Sequence, residues 1–345
     1  MEVWLATTYA ELHWSLLAAV IAAALFMVGK SADWLVDEAV ELSARSNIPK
    51  AVIGATIVSL GTTMPEAAVS VFAAMEGAPG LALGNAVGSV ICDTGLILGL
   101  ACVIAPLRLD RKIVNRQGWI QLASGVLLIL ACVPWGDPAT ALTAGGVLPQ
   151  WLGFVFLGLL GVYLYQSIAW ARQERVASEA PAHESSEPTW LIVVKLLGAV
   201  ALVVGAAHVL IPAIEEAAMR MAIPESIIAA TLVAFGTSLP ELVTAVTAAR
   251  KGQGELAVGN VVGADILNVL FVAGAAAAVT TEGLVAGPQF FSVLFPVMIF
   301  VLLVFRFGIM ISGDWLKKPF GFVLLGAYTI YMAVIYIFPG GTPAH

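Results

Sequence analysis

Two glutamates stand where an apolar chain has least use for them. Glu66 and Glu241 each lie inside a long uncharged stretch, and each closes the same hexapeptide, G-T-(T/S)-(M/L)-P-E, at Gly61–Glu66 and Gly236–Glu241. A carboxylate within an apolar segment of membrane-crossing length is expensive, and by default it marks a site. At helical spacing Ser59, Thr62, Thr63 and Glu66 share one face, and Ala234, Thr237, Ser238 and Glu241 repeat the pattern. Pro65 and Pro240 stand directly before the glutamates. Proline has no N–H and crowds the carbonyl four residues back, so carbonyls near Gly61 and Gly236 are left without helical partners. Carboxylates, hydroxyls and free carbonyls are hard oxygen donors, the set that Ca²⁺ and Na⁺ prefer.

A second pair of segments offers the other wall. Asn85, Ser89 and Asp93 recur every four residues, as do Asn260, Ala264 and Asn268. Gly84, Gly88, Gly259 and Gly263 allow close helix approach, the usual role of small residues in membranes. Glu66, Asp93, Glu241 and Asn268 are therefore expected to meet at one point, with no cage formed by one half alone. Plainer roles compete. A Ser or Thr hydroxyl inside a helix often bonds its own backbone, and an intramembrane Asn often only bridges helices. Asp33 is expected to pair locally with Lys30, and His208, at the place equivalent to Asp33, to be an interface residue. The three cysteines, Cys92, Cys102 and Cys132, carry no metal spacing and read as small core residues.

The elements that must position these groups are membrane helices. Of 345 residues, 60% are hydrophobic and 11% charged, against about 25% charged in an ordinary soluble domain. The bilayer must therefore be the solvent for most of the surface. Ten spans are expected, near 14–36, 51–75, 80–104, 118–134, 151–170, 190–213, 225–249, 255–279, 288–306 and 318–338, each of a length suited to a hydrocarbon core of roughly 30 Å. The first reads as a spanning helix, not a removable signal. Between the fifth and sixth, 171–189 is a polar linker. Thirteen of the sixteen Lys and Arg residues fall in odd-numbered loops. Positive charge stays on the cytoplasmic side, which puts the linker inside, both termini outside, and the protein in the plasma (inner) membrane.

Residues Gly54–Gly99 align without a gap onto Ala229–Gly274, a shift of 175 residues with 19 identities in 46. The G-T-(T/S)-(M/L)-P-E element is followed in both copies by G-N-x-V-G, at Gly84–Gly88 and Gly259–Gly263. Five spans separate the copies, and an odd number makes equivalent helices cross in opposite directions. The expected fold is an all-α membrane protein of about ten transmembrane helices in two inverted five-helix repeats, 1–170 and 190–345. Inverted repeats are the mark of secondary transporters, with the site at the midplane between them.

These two elements resemble the α-repeats of the cation/Ca²⁺ exchanger superfamily, which includes sodium/calcium exchangers. The resemblance implies a Ca²⁺/Na⁺ antiporter, with an H⁺-coupled divalent-cation antiporter as the alternative. It makes Glu66 and Glu241 paired Ca²⁺ ligands and Asp93 and Asn268 the acid/amide pair beside them. Thr62, Thr63, Ser89, Thr237 and Ser238 match positions lining the ion sites, and the carbonyls of Ser59 and Ala234 match flanking Na⁺ ligands. The family's G-S-N-x-x-(N/D) is altered in both copies, to Gly88-Ser89-Val90-Ile91-Cys92-Asp93 and Gly263-Ala264-Asp265-Ile266-Leu267-Asn268. Ala264 lacks a hydroxyl expected at one Na⁺ site. Asp265 adds a carboxylate one step off the ligand face, suited to a proton or K⁺ or to satisfaction by a neighbouring helix. The expected partners are the lipid bilayer and small cations, with no cofactor and no nucleic acid. An ion channel would need an open multi-site path instead of a mixed carboxylate cage. An enzyme finds no support, for no Ser–His pairing, zinc-binding His pair or phosphate loop is present.

Overall fold

The computed structural model describes residues 2–173, 188–221 and 236–337. A short helix α1 (Glu2–Glu11), which the sequence did not announce, leads into α2 (Trp14–Ser46). Then come α3 (Lys50–Thr62), α4 (Met64–Met75), α5 (Pro79–Ile104), α6 (Arg111–Cys132), α7 (Gln150–Gln173) and α8 (Thr189–Arg220). After residues 222–235, which include the start of the expected seventh span, follow α9 (Leu239–Arg250), α10 (Gly254–Ala278), α11 (Phe290–Ile311) and α12 (Lys318–Ile337).

Among the described residues seven helices are long and apolar enough to cross a membrane, or eight when the bent pair α3–α4 is counted as one span. The expected fourth span, α6, falls short of that hydropathy because Asn115, Arg116, Gln117 and Gln121 occupy its first half. Its polar face is turned inward, where Gln117 and Gln121 are buried. Asp110 caps α6, its Oδ1 accepting the N–H groups of Lys112 and Ile113 at 3.2 Å each, which fixes the start seven residues earlier than the apolar run alone indicates.

The turns explain the hairpins beside the site. α4 ends at Gly77 (φ 83°) and α9 at Gly252 (φ 71°), both left-handed positions that glycine fills without strain. The same pair of closing bonds appears in each: Gly77 N–H to Ala74 O and Ala78 N–H to Ala73 O, then Gly252 N–H to Ala249 O and Gln253 N–H to Ala248 O. Two short strand pairs tie distant loops. β1 (Leu107–Arg108) runs antiparallel to β4 (Trp315–Leu316), and β2 (Gly146–Leu148) to β3 (Leu284–Ala286). Two- and three-residue strands carry no periodicity that a sequence reading can detect.

Helices α3, α4, α5, α9 and α10 form the buried centre, while α2 and α8 lie side by side along it. Their pairing is antiparallel, since Leu17 clusters with Ala213 and Trp34 reaches Gly198. The centre is packed at backbone distance. A Cβ on Gly259 would stand 2.3 Å from the Ala51 carbonyl, and one on Gly263 would stand 2.4 Å from the Ala55 Cα. These are the close approaches expected of the second copy's glycines; the stretch that would face Gly84 and Gly88 in the same register lies outside the described residues.

Candidate cation-binding site

A broken helix brings the first glutamate inward. α3 ends at Thr62 and α4 starts at Met64 with a bend of 44°, because Pro65 can neither donate to Gly61 nor continue the turn. Glu66 thus lies in the first turn of α4, and Glu241, behind Pro240, in the first turn of α9. Helix N-termini carry partial positive charge, so both carboxylates sit where the backbone favours an anion. Both are 1% exposed, as are Asp93 and Asn268, while Ser59, Thr62 and Thr63 are fully buried. Ala234 lies outside the described residues.

The two halves brace each other. Thr63 Oγ1 donates to Glu241 Oε1 at 3.0 Å, and Ser238 Oγ donates to Glu66 Oε1 at 3.2 Å. These bonds are the same contact seen from either copy, since Thr63 and Ser238 stand 175 residues apart, like the two glutamates. Asn268 Nδ2 donates to Asp93 Oδ2 at 3.1 Å, joining α10 to α5. At this pair both helices widen into π-turns, Cys92–Leu98 and Asn268–Ala273, a deformation that often accompanies functional sites. Asn85 Nδ2 bonds the Glu66 carbonyl at 3.3 Å and Ser70 Oγ at 3.0 Å. Its counterpart is Asn260, the equivalent of Ser70 is Ala245, and neither amide atom of Asn260 has a partner.

Several buried oxygens have no protein partner: Glu66 Oε2, Glu241 Oε2, Asp93 Oδ1, Asn268 Oδ1, Ser89 Oγ and Thr237 Oγ1. Buried polar atoms are nearly always bonded, and each exception requires an explanation. Six oxygens from carboxylates, an amide and hydroxyls match the donor type and number that Ca²⁺ accepts. Among the described residues no three acidic, imidazole or thiol side chains stand at the spacing of a single metal ion. The carboxylates are held apart, each on a hydrogen bond from the opposite half. Ser59 O accepts Thr63 N–H at 2.9 Å and Thr62 Oγ1 at 3.3 Å, so its lone pairs are engaged here.

Asp265 is 1% exposed and is satisfied by neighbours the sequence did not identify. Its Oδ2 accepts from Thr94 Oγ1 and from Gln121 Nε2, and Gln121 Nε2 also reaches Thr94 Oγ1 at 3.1 Å. Oδ1 has no partner. A glutamine inside an expected span was the available signal for this contact. Asp33 pairs with Lys251, 218 residues away, through Nζ–Oδ1 at 3.5 Å, where local spacing had pointed to Lys30.

A cavity of about 770 Å³ opens between α4 and α8. Its wall follows α4 from Met64 through Val69 and Phe72 to Glu76, with His208 and Ile211 of α8 opposite, and at its inner end it meets Gly236 and Thr237.

The sequence profile of the family described as sodium/calcium exchanger protein matches residues 16–169 and 191–337. The sodium/calcium exchanger MaX1 of Methanosarcina acetivorans is 30% identical over 341 residues, covering 90% of this chain and 96% of its own length. The inner membrane protein YrbG of Escherichia coli is 31% identical over 335 residues, covering 93% of this chain and 97% of its own. Among solved structures, the sodium-calcium exchanger NCX_Mj soaked with 10 mM Na⁺ and zero Ca²⁺ superposes with a TM-score of 0.77 at 25% identity, over 92% of this chain and 98% of that one. The chain belongs to the sodium/calcium exchanger family of multi-pass membrane proteins.

Proposed function

We propose that this protein is a secondary antiporter that exchanges Ca²⁺ for Na⁺ by alternating access, with ions held at the midplane by Glu66, Asp93, Glu241 and Asn268. Thr62, Thr63, Ser89, Thr237, Ser238 and the carbonyls of Ser59 and Ala234 complete the sites. The observation that carries the reading is the reciprocal brace, Thr63 to Glu241 and Ser238 to Glu66, enclosing buried oxygens that no protein donor satisfies. Ten spans in two inverted five-helix repeats, 1–170 and 190–345, make those two bonds equivalent. The strand pairs agree with this topology. β1 and β4 lie in the third and ninth loops, β2 and β3 in the fourth and eighth, so each pair joins loops assigned to one side. The basic residues then place the 171–189 linker in the cytoplasm and both termini outside.

Charge explains why transport is exchange. Three ionised carboxylates carry three negative charges; one Ca²⁺ leaves one, and three Na⁺ leave none. Ca²⁺ and Na⁺ compete for the same oxygens, so one load must depart before the other is complete. An empty cage would carry its full charge through a low-dielectric barrier, which is far costlier than carrying a loaded one. If one net charge moves per cycle, the membrane potential contributes about 2.3 kcal/mol per 100 mV.

A second reading, exchange of Ca²⁺ for H⁺, is favoured by Ala264, which leaves one flanking Na⁺ position without a hydroxyl. Ca²⁺ uptake into proteoliposomes separates the two. An imposed Na⁺ gradient at constant pH is expected to drive uptake; uptake under a pH gradient alone, with none under Na⁺, transfers the assignment to the proton.

A further inference from the structure

We propose that Asp265, Thr94 and Gln121 are positioning residues of the cation site, a clamp between α5, α6 and α10 that aims the Asp93 carboxylate. The inference rests on the reading of Asp93 and Asn268 as cation ligands.

Two rungs join α5 to α10. Asn268 Nδ2 donates to Asp93 Oδ2 at 3.1 Å. The next residue of α5, Thr94, donates through Oγ1 to Asp265 Oδ2, one turn before Asn268. The first rung carries proposed ligands at both ends. The second carries none, yet it is closed from a third helix: Gln121 Nε2 of α6 donates to Asp265 Oδ2 and reaches Thr94 Oγ1 at 3.1 Å. All three side chains are buried, so bulk water does not compete for these bonds.

The place of the clamp gives it its use. Asp93 and Thr94 lie in the π-turn Cys92–Leu98, and Asn268 opens the π-turn Asn268–Ala273. A π-turn interrupts the regular helical ladder, so the direction of its side chains depends more on contacts outside the helix. A single bond to Asn268 lets the Asp93 carboxyl swing about it, and a tie at the adjacent residue removes that freedom. Partners of this kind, one step behind the ligands, orient metal sites generally. The same face of α6 reaches a third π-turn, Gly54–Val58, which precedes Ser59. There the Tyr163 hydroxyl lies 3.1 Å from the Ala55 carbonyl oxygen and 3.0 Å from Gln117 Oε1. Gln117 and Gln121 stand one turn apart, and this role accounts for polar residues inside a span that supplies no proposed ligand.

The clamp belongs to one half only. The 175-residue shift puts Val90 at the place of Asp265 and Val269 at the place of Thr94. The duplicated packing therefore does not require polar groups at either position. Asp265 Oδ1 has no partner, which sets one rival role beside the clamp: a carboxylate acting on the ion through its own charge.

Equilibrium Ca²⁺ binding to the full-length protein, Na⁺-driven Ca²⁺ uptake into proteoliposomes and thermal unfolding together test the clamp. Thr94→Val and Asp265→Val are each expected to raise the half-saturating Ca²⁺ concentration about tenfold, the lower end of what a lost outer partner costs a metal site, with maximal uptake little changed. The double variant should bind no more weakly than the worse single one, since either change opens the clamp. Gln121→Met, which keeps length and loses the donor, repeats the loss to a smaller degree and serves if a valine variant fails to fold. Asp265→Asn is the deciding variant. Its carbonyl still accepts from Thr94, and its amide donates to Gln121 once that side chain turns over, so Ca²⁺ affinity should be close to that of the unmodified protein. Weakening as large as that of Asp265→Val would make charge the cause and overturn the clamp. Unchanged affinity in the valine and methionine variants overturns it too. Asp93→Asn is measured beside them: undiminished Ca²⁺ binding there removes the ligand assignment itself, whatever the clamp variants show.

Discussion

Replacing Glu66 by Gln removes one unit of charge from the cage while leaving its shape. The glutamine carbonyl still accepts from Ser238, whose hydroxyl lies 3.2 Å from the present Oε1. The oxygen without a partner, Oε2, is replaced by an amide N–H₂ that repels cations. At a ligand distance of about 2.4 Å, and even with the full screening of water, a divalent ion loses about 3.5 kcal/mol of attraction. That is about 300-fold in affinity, since each 1.4 kcal/mol is tenfold. A monovalent ion at the same distance loses about half as much, roughly 20-fold. The ratio of the two energies follows from ionic charge alone and does not depend on the dielectric chosen. Ca²⁺ uptake driven by Na⁺ should therefore fall to background, while Na⁺ still displaces residual Ca²⁺ at raised concentration. The assay is radioactive Ca²⁺ flux into proteoliposomes, beside equilibrium binding of each ion to protein that elutes as a single species. Uptake within about threefold of the unmodified protein would remove Glu66 from the site and refute the charge argument.

Three further outcomes are expected. Thr63→Val and Ser238→Ala each delete one buried hydroxyl bonded to a carboxylate, a contact worth about 1.5–3 kcal/mol; apparent Ca²⁺ affinity should fall at least about tenfold in each, and a hundredfold difference between the two would contradict their equivalence. Gly259→Ala drives a methyl group to 2.3 Å from the Ala51 carbonyl, so thermal unfolding in detergent should show a loss of about 1–3 kcal/mol. Gly158→Ala, with nothing within 4 Å among the described residues, serves as the control and should be neutral or slightly stabilising. Ala264→Ser supplies the hydroxyl that the first copy carries at Ser89; the Na⁺ concentration needed for half-maximal exchange should drop by roughly fivefold, the worth of about one hydrogen bond, and no change would argue against Na⁺ at that position.

The centre of the molecule was legible because its demands on the chain are local and severe. A glutamate after a proline inside an apolar run has few uses, and its recurrence at a fixed shift pointed to the two buried carboxylates that the structure braces across the halves. The close approach of Gly259 and Gly263 to α3 followed from their size. What the sequence hid depends on contacts between distant segments. Asp265 was left with several roles because its donors, Thr94 and Gln121, come from two other helices. Lys30 was the wrong partner for Asp33 because a lysine 218 residues away competes better in space than one three residues away. The start of α6 was obscured by polar residues that look like loop until their burial is known. No residue pattern encodes the π-turns at Asp93 and Asn268.

Helices α2 and α8 are 33 and 32 residues long. At a rise of 1.5 Å per residue each measures about 50 Å, well beyond a hydrocarbon core of roughly 30 Å. Lying antiparallel, the pair must lean steeply or project from the bilayer at both ends, and any change of lean alters how much of it meets acyl chains. Lipid tail length thus acts on the same coordinate as the pair's inclination: in thin membranes a strongly tilted arrangement is favoured, in thick ones an upright arrangement. An exchanger built around such a pair is tuned to one membrane thickness, and its turnover should pass through a maximum as the acyl chains of its liposomes are lengthened.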